Sequence, residues 1–335
     1  FGRKMLMHEE SLKTLTGLFS RMNRPMTENN KKQAMMPEGA VVFHNDRGTA
    51  NGLAIEGGGK TVIMLPGPPR EMNAMFDNCV RAYLLERSNT VLVSHNIHFF
   101  GIGESDLENR LHDFMLDQKN PTVAPYAKEG EVLLRVTASA ADKAAAEALL
   151  KPVVDEICGR FPQFIYGVDV DNLQNALVRE LAANGMTIST AESCTGGQVS
   201  ARITSVPGSS AVFGCGMCTY SNEAKVKLLG VKPETLDSYG AVSPETAAEM
   251  AEGVMRAAGS DIGLAVTGIA GPDGGTEEKP VGLVWLGIAG KAGTRTAELR
   301  LSRRYGGERA FIQLLASSNA LYQALREAQR PGGGS

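Results

Sequence analysis

The 335-residue chain predicts a multidomain α/β protein, and three observations predict it. β-prone runs alternate with runs of helical period along most of the length, as layered α/β domains require. Between residues 89 and 168 the elements follow the order βαββαβ, that of a small α+β split unit. In the last third, two glycine-bearing loops each follow a short β-prone run, and loops of that kind let a ligand approach the backbone. The expected domains are residues 1–88 (α/β), 89–168 (α+β) and 169–330 (α/β, layered), with residues 331–335 as a flexible tail.

Taken in order, residues 8–22 carry Leu12, Leu15, Leu18 and Phe19 at helical period, with Glu9 and Glu10 in the first turn. A second helix is expected over residues 29–36. Strands follow at 40–43, 52–56 and 61–65, separated by turn formers at 46–48 and 57–59. The last strand runs into Pro66-Gly67-Pro68-Pro69-Arg70-Glu71-Met72, a rigid strand-to-helix loop where phosphate could bind. The middle unit has strands at 91–100, 122–125, 131–139 and 163–166 and helices at 104–116 and 141–161. Val132, Leu134 and Val136 alternate with Leu133, Arg135 and Thr137, which buries one face. This unit is expected to space or dimerise the others, so a homodimer is expected.

The last domain opens with an amphipathic helix over residues 171–184, striped by Leu173, Leu177 and Leu181. The remaining elements are a strand from Met186, a helix carrying Val199 and Ile203, a strand reaching Tyr220, and a helix through Lys225 and Leu229. Ser243-Pro244 starts a long helix. A buried strand over 262–266, strands at 281–289 and 294–301, and a terminal helix from Glu308 complete the layers.

The chain is 43% hydrophobic, 21% charged and 6% aromatic, with a formal net charge of -3. Mixed charge leaves no electrostatic footprint for nucleic acid, and Arg303-Arg304 is too short to count as one. No apolar run approaches the ~20 residues of a membrane span and no signal-peptide core opens the chain, so a cytoplasmic setting without membrane partners is expected. Five cysteines at irregular spacing fit a reducing compartment. Cys215-x-x-Cys218 has no second pair for a metal site, and His98, Glu104 and His112 are not at ligand spacing; no metal site is expected in this domain. The chain begins at Phe1, inside what reads as a continuing segment, and ends in a linker-like Pro-Gly-Gly-Gly-Ser.

The chemistry concentrates in Thr190-Ala191-Glu192-Ser193-Cys194-Thr195-Gly196-Gly197, at a strand-loop-helix turn where free N–H groups can hold an anion. Ser193 is either a helix cap or a nucleophile. All five histidines lie in the first third of the chain, so the base for a nucleophilic Ser193 is a lysine or a tyrosine, with Lys225 and Tyr220 the candidates. A desolvated lysine can act as base, and a tyrosine can relay the proton. Cys194 is the rival nucleophile. The loop Thr267-Gly268-Ile269-Ala270-Gly271-Pro272-Asp273-Gly274-Gly275, with four glycines, is hard to explain as packing.

Four segments in order, Ser193 to Gly197, Thr219 to Lys225, Gly240 to Ser243 and Thr267 to Pro272, resemble the nicotinamide mononucleotide deamidase domain of the CinA competence/damage-inducible family. Gly101-Ile102-Gly103-Glu104-Ser105 and residues 120–126 resemble that family's linking domain, and residues 65–72 its first, molybdopterin-binding-like domain. The resemblance implies hydrolysis of nicotinamide mononucleotide to nicotinic acid mononucleotide and ammonia without a cofactor, in pyridine-nucleotide recycling. It makes Ser193 the nucleophile and Tyr220 and Lys225 its activating partners; the mechanism expected from these residues has neutral Lys225 take the Ser193 proton through Tyr220. Thr267 lies by the amide or its oxyanion, loop N–H groups near Ser193 and Thr267 stabilise that oxyanion, and Arg309 holds phosphate; Thr195, Gly196, Gly197 and Gly268 complete the substrate site. Glu308 stands where the family usually has Asp. In the first domain, Asn51 stands where the family commonly has Pro and the opening strands are missing. That domain is expected to be loosened, and the metal-dependent ADP-ribose pyrophosphatase activity associated with it, which would take a divalent cation, to be impaired. The alternative reading is a non-catalytic nucleotide- or pterin-binding module.

Overall fold

The computed structural model describes residues 1–88, 90–301 and 308–330; the expected tail at 331–335 and the Arg303-Arg304 pair lie outside them. The chain forms two compact units, one comprising Phe1–Val91 with Ala140–Lys143 and the other Leu92–Ser139 with Ala144–Ser335.

In the first unit, β1 (Met5–Met7) leads into α1 (Glu9–Arg21), whose N-terminus is capped by the His8 ring accepting from the Ser11 N–H. The helix expected over 29–36 is shorter. α2 (Glu28–Lys31), capped by a Thr27/Asn30 capping box, passes through a 3-10 turn into β2 (Met35–Pro37), because antiparallel pairing with β1 claims the backbone of Met35 and Met36. A three-stranded antiparallel sheet follows: β3 (Val41–Phe43), β4 (Gly52–Gly57) and β5 (Lys60–Met64). Then α3 (Pro69–Met75) continues through a π-type turn into α4 (Arg81–Leu85).

The first turn of α3 is tied to the β3–β4 turn. The Glu71 carboxylate accepts from Asn45 Nδ2 at 2.7 Å, and lies where a Cβ on Gly48 would have to go. Asn51 accepts from the Asn45 N–H and donates to Ser11 Oγ, tying the turn to α1. Among the described residues no three His, Cys, Asp or Glu side chains are grouped as metal ligands.

The second unit opens with the expected βαββαβ order: β6 (Val91–Phe100), α5 (Glu104–Asp117), β7 (Thr122–Lys128), β8 (Glu131–Ala140), α6 (Lys143–Arg160) and β9 (Ile165–Val168). They form one four-stranded sheet ordered β7-β8-β6-β9. His98 is a buried core residue. Tyr166 has one hydroxyl proton and gives it to Glu131 (2.6 Å), so the His98 Nδ1–H donates to the Tyr166 oxygen (3.0 Å).

The rest is α7 (Leu173–Ala183), β10 (Ile188–Glu192), α8 (Gln198–Thr204), β11 (Phe213–Cys218), α9 (Asn222–Ala224) running into a π-type turn to Leu229, α10 (Pro233–Tyr239), α11 (Pro244–Ala258), β12 (Ile262–Gly268), β13 (Leu283–Gly290), β14 (Gly293–Arg300) and α12 (Arg309–Ala328). The sheet order is β11-β10-β12-β13-β14, with β10 parallel to both neighbours and β13 and β14 antiparallel. Alternation along the strands divides the core. Ile188, Leu264 and Val266 face α7, α8 and α12, whereas Ala191, Ala265 and Ala289 face α11. The α11 side is kept small so that the helix lies against the strand backbone: a Cβ on Gly263 or Gly287 would come within 2.1 Å of a carbonyl oxygen of α11.

Phe100 and Tyr166 of the four-stranded sheet belong to the same apolar cluster as α7 and α12. Arg326 adds hydrogen bonds to the carbonyls of Pro162 and Ile165. Among the described residues no helix is long and apolar enough to cross a membrane.

Candidate active site

The carboxyl ends of the three parallel strands converge. β10 leads to Ser193, β11 to the Thr219–Lys225 segment, and β12 ends in Thr267-Gly268. From β10 the chain crosses to β11 on one side and later reaches β12 on the other, which opens a crevice beyond the strand ends at the point where the order reverses. A cavity of about 280 Å³ occupies that crevice, lined by Ser193, Tyr220, Lys225, Thr267, Gly268 and Arg309 among others.

Lys225 is the central side chain. It is 1% exposed, at the start of the turn that continues α9. Its Nζ lies 3.2 Å from Ser193 Oγ, 2.9 Å from the Thr219 carbonyl and 3.4 Å from the Tyr220 carbonyl. Loss of water around it depresses the ammonium pKa below the ordinary 10.5. A neutral amine has two N–H bonds; given to the two carbonyls, they leave its lone pair for the Ser193 hydroxyl.

Tyr220 is placed differently from the expected relay. Its carbonyl, not its hydroxyl, meets the amine. The ring is 61% exposed and its hydroxyl accepts from Arg309 Nη2 at 2.9 Å. Arg309 also donates to the Gly271 carbonyl at 2.9 Å, so guanidinium and phenol together stand at the mouth of the cavity. Thr267 Oγ1 donates to the Ala241 carbonyl (2.6 Å), which fastens β12 to the segment that caps α11.

Thr195, Gly196 and Gly197 do not line the cavity. Gly196 and Gly197 both adopt positive φ (61° and 97°), which only glycine takes up without strain, and so turn the chain tightly into α8. The helix start is not open to a ligand anion, as the sequence suggested, because Glu192 occupies it. That carboxylate, 1% exposed, accepts from the N–H groups of Gly197, Val199 and Ser200 and from the Ser200 hydroxyl, at 2.6–3.1 Å. The positive end of the helix and four donors hold the charge with no counter-ion among the described residues. The Thr195 hydroxyl is buried and has no hydrogen-bond partner among the described residues.

Burial pushes the Cys194 thiol up to about 12, away from the thiolate that nucleophilic attack requires. The Cys194 carbonyl accepts from Gln313 Nε2 on α12 (2.8 Å), and α8 is bound to α12 by half-buried Arg202, which donates to Ser317 and Ser318. Among the described residues the Thr195 N–H has no protein acceptor. Sequence reasoning missed Glu192 as a cap and Gln313 altogether. An acidic residue just before a Ser-Gly turn into a helix was a readable signal for the first. Gln313 has none beyond standing one helical turn after Arg309.

Residues 170–328 match the family model of the CinA C-terminal domain, and residues 94–167 that of the damage-inducible protein CinA KH domain. A protein of Acetivibrio thermocellus named for competence-damage induction is 51% identical over 319 residues, spanning 95% of this chain and 76% of its own. A CinA-like protein of Kosmotoga olearia is 49% identical over 321 residues, 96% of this chain and 77% of its own. Among solved structures, a competence/damage inducible protein from Agrobacterium tumefaciens is 43% identical, covering 46% of this chain and 93% of its own with a TM-score of 0.43. A CinA superfamily protein from Escherichia coli is 35% identical, covering 46% and 88%, with a TM-score of 0.44. Identity near one half, sustained over nearly the whole chain and three quarters of its relatives, means that the chain belongs to the CinA family.

Proposed function

We propose that the chain is a nicotinamide-nucleotide amidase, hydrolysing the carboxamide of nicotinamide mononucleotide to nicotinic acid mononucleotide and ammonia. The observation that carries this reading is the buried Lys225 amine 3.2 Å from the Ser193 hydroxyl, in a crevice at the strand ends. Neutral Lys225 takes the Ser193 proton directly as Oγ attacks the amide carbon. N–H groups of the Ser193 turn stabilise the oxyanion, and the proton held by Lys225 passes to the leaving nitrogen as the C–N bond breaks. Water then attacks the acyl-Ser193 ester, giving one proton to Lys225; as the tetrahedral adduct breaks, Lys225 returns that proton to the leaving Ser193 Oγ, and the acid product loses its own proton to solvent and departs as carboxylate. Arg309, with the Tyr220 hydroxyl beside it, suits the phosphate at the mouth of the cavity. No metal or organic cofactor enters this scheme.

The test is ammonia release from nicotinamide mononucleotide. Ser193→Ala is expected to lower kcat by roughly 10³-fold or more, and Cys194→Ala to leave it within a few-fold. Full activity in Ser193→Ala sinks the reading. Tight nucleotide binding without turnover in the parent, unaffected by Lys225→Met, would favour a binding module instead.

A further inference from the structure

The geometry points to Gln313 as a positioning residue for the oxyanion site, acting from α12 through the backbone of the residue after the nucleophile; this rests on the amidase reading. Gln313 Nε2 donates to the Cys194 carbonyl at 2.8 Å. The peptide unit is planar, so fixing that carbonyl fixes the Thr195 N–H at its other end and limits rotation about Cys194. That N–H is without an acceptor among the described residues, whereas the neighbouring donors are engaged: the Ser193 N–H on the Val266 carbonyl, that of Cys194 on its own thiol, that of Gly196 on the Ser193 carbonyl, and that of Gly197 on Glu192.

The turn is therefore gripped from two sides. Glu192 holds its far end from within, and Gln313 holds its near end from outside. The outer grip is the one that depends on another element, because Gln313 stands one helical turn after Arg309 on the face of α12 that meets the site. Arg309 contacts the cavity itself, so the same helix face binds substrate through one residue and orients the Thr195 N–H through the other. Loss of the two ought to be felt in different kinetic constants.

The experiment compares Gln313→Met, which keeps the length and removes the donor, with Arg309→Ala and Ser193→Ala. Steady-state ammonia release is the activity readout, and the affinity of pyridine-3-boronic acid, which forms a tetrahedral adduct on a serine hydroxyl, is the second. Gln313→Met is expected to lower kcat about 10- to 100-fold with KM nearly unchanged, part of what losing an oxyanion donor outright costs. Boronate affinity should weaken in proportion to kcat/KM, and the pH profile should keep its midpoint because Lys225 is untouched. Arg309→Ala is expected to raise KM instead. Gln313→Asn, which keeps the amide but falls one methylene short, should also lose kcat and serves if the Met variant fails to fold. Unchanged kcat and boronate affinity in a folded Gln313 variant, with Ser193→Ala inactive, overturn the inference and leave the amidase reading standing. An active Ser193→Ala overturns both.

Discussion

A lysine can be made ready to accept a proton, by being kept neutral, with very little machinery. At Lys225 burial, two carbonyls and one serine suffice, and among the described residues no carboxylate pairs with the amine. Activity should therefore rise with pH through a midpoint below 10.5, the ordinary lysine value, since the charged amine cannot accept the Ser193 proton. The sign for stability is the same. Between the depressed pKa in the fold and the normal one in the unfolded chain, the unfolded state binds more protons, so the contribution of this group grows as pH rises. Lys225→Met is expected to lose at least 10³-fold in kcat at any pH, yet to melt at the same temperature as the parent or higher. Initial-rate pH profiles and thermal unfolding check the two halves; a clear fall in melting temperature would mean the ammonium is stabilised in the fold.

At the scale of the element, α8 is a helix whose binding end has been filled from within the chain. Replacing the Glu192 carboxylate with an amide puts an N–H₂ group among four donors. Glu192→Gln should cost about 3 kcal/mol in urea unfolding, the order expected when hydrogen bonds to a buried charge are lost, and should lower kcat by loosening the Ser193 turn. Undiminished stability would show that the helix start does not need the charge. Elements were legible in the sequence where one local signal decided them: the βαββαβ run, the Ser243-Pro244 start of α11, the glycine turn between β4 and β5. Residues 35 and 36 were misread as helix because their partner strand lies about 30 residues upstream, and α10 was not anticipated. The Ser193–Lys225 pairing was legible because no histidine was at hand. The position of Tyr220 was not, since a spacing of five residues from Lys225 does not say whether the phenol or the carbonyl faces the amine.

Across the whole molecule, acid should act most strongly through the middle sheet. Burial, aided by Lys128, pushes His98 down to about 4. Its neutral form is kept in the fold while the unfolded chain protonates near 6.5, so stability is lost as pH falls from about 6.5 to 4, by up to about 3 kcal/mol. His95 works the other way. Burial lowers its pKa, but hydrogen bonds to Asp169 and Glu147 outweigh that and leave it raised, so protonation strengthens that contact. Denaturant unfolding of His98→Asn against the parent at pH 7 and 5 isolates the first effect, and an equal fall in both proteins removes it.

The apolar cluster that joins Phe100 and Tyr166 to α7 and α12 means that the backbone between β9 and α7 is not what keeps those parts together. A protease site engineered at residues 169–172, cut to completion, should yield two bands on a denaturing gel and a single undivided peak on a sizing column. The polypeptide is severed there, but the hydrophobic seam stays closed.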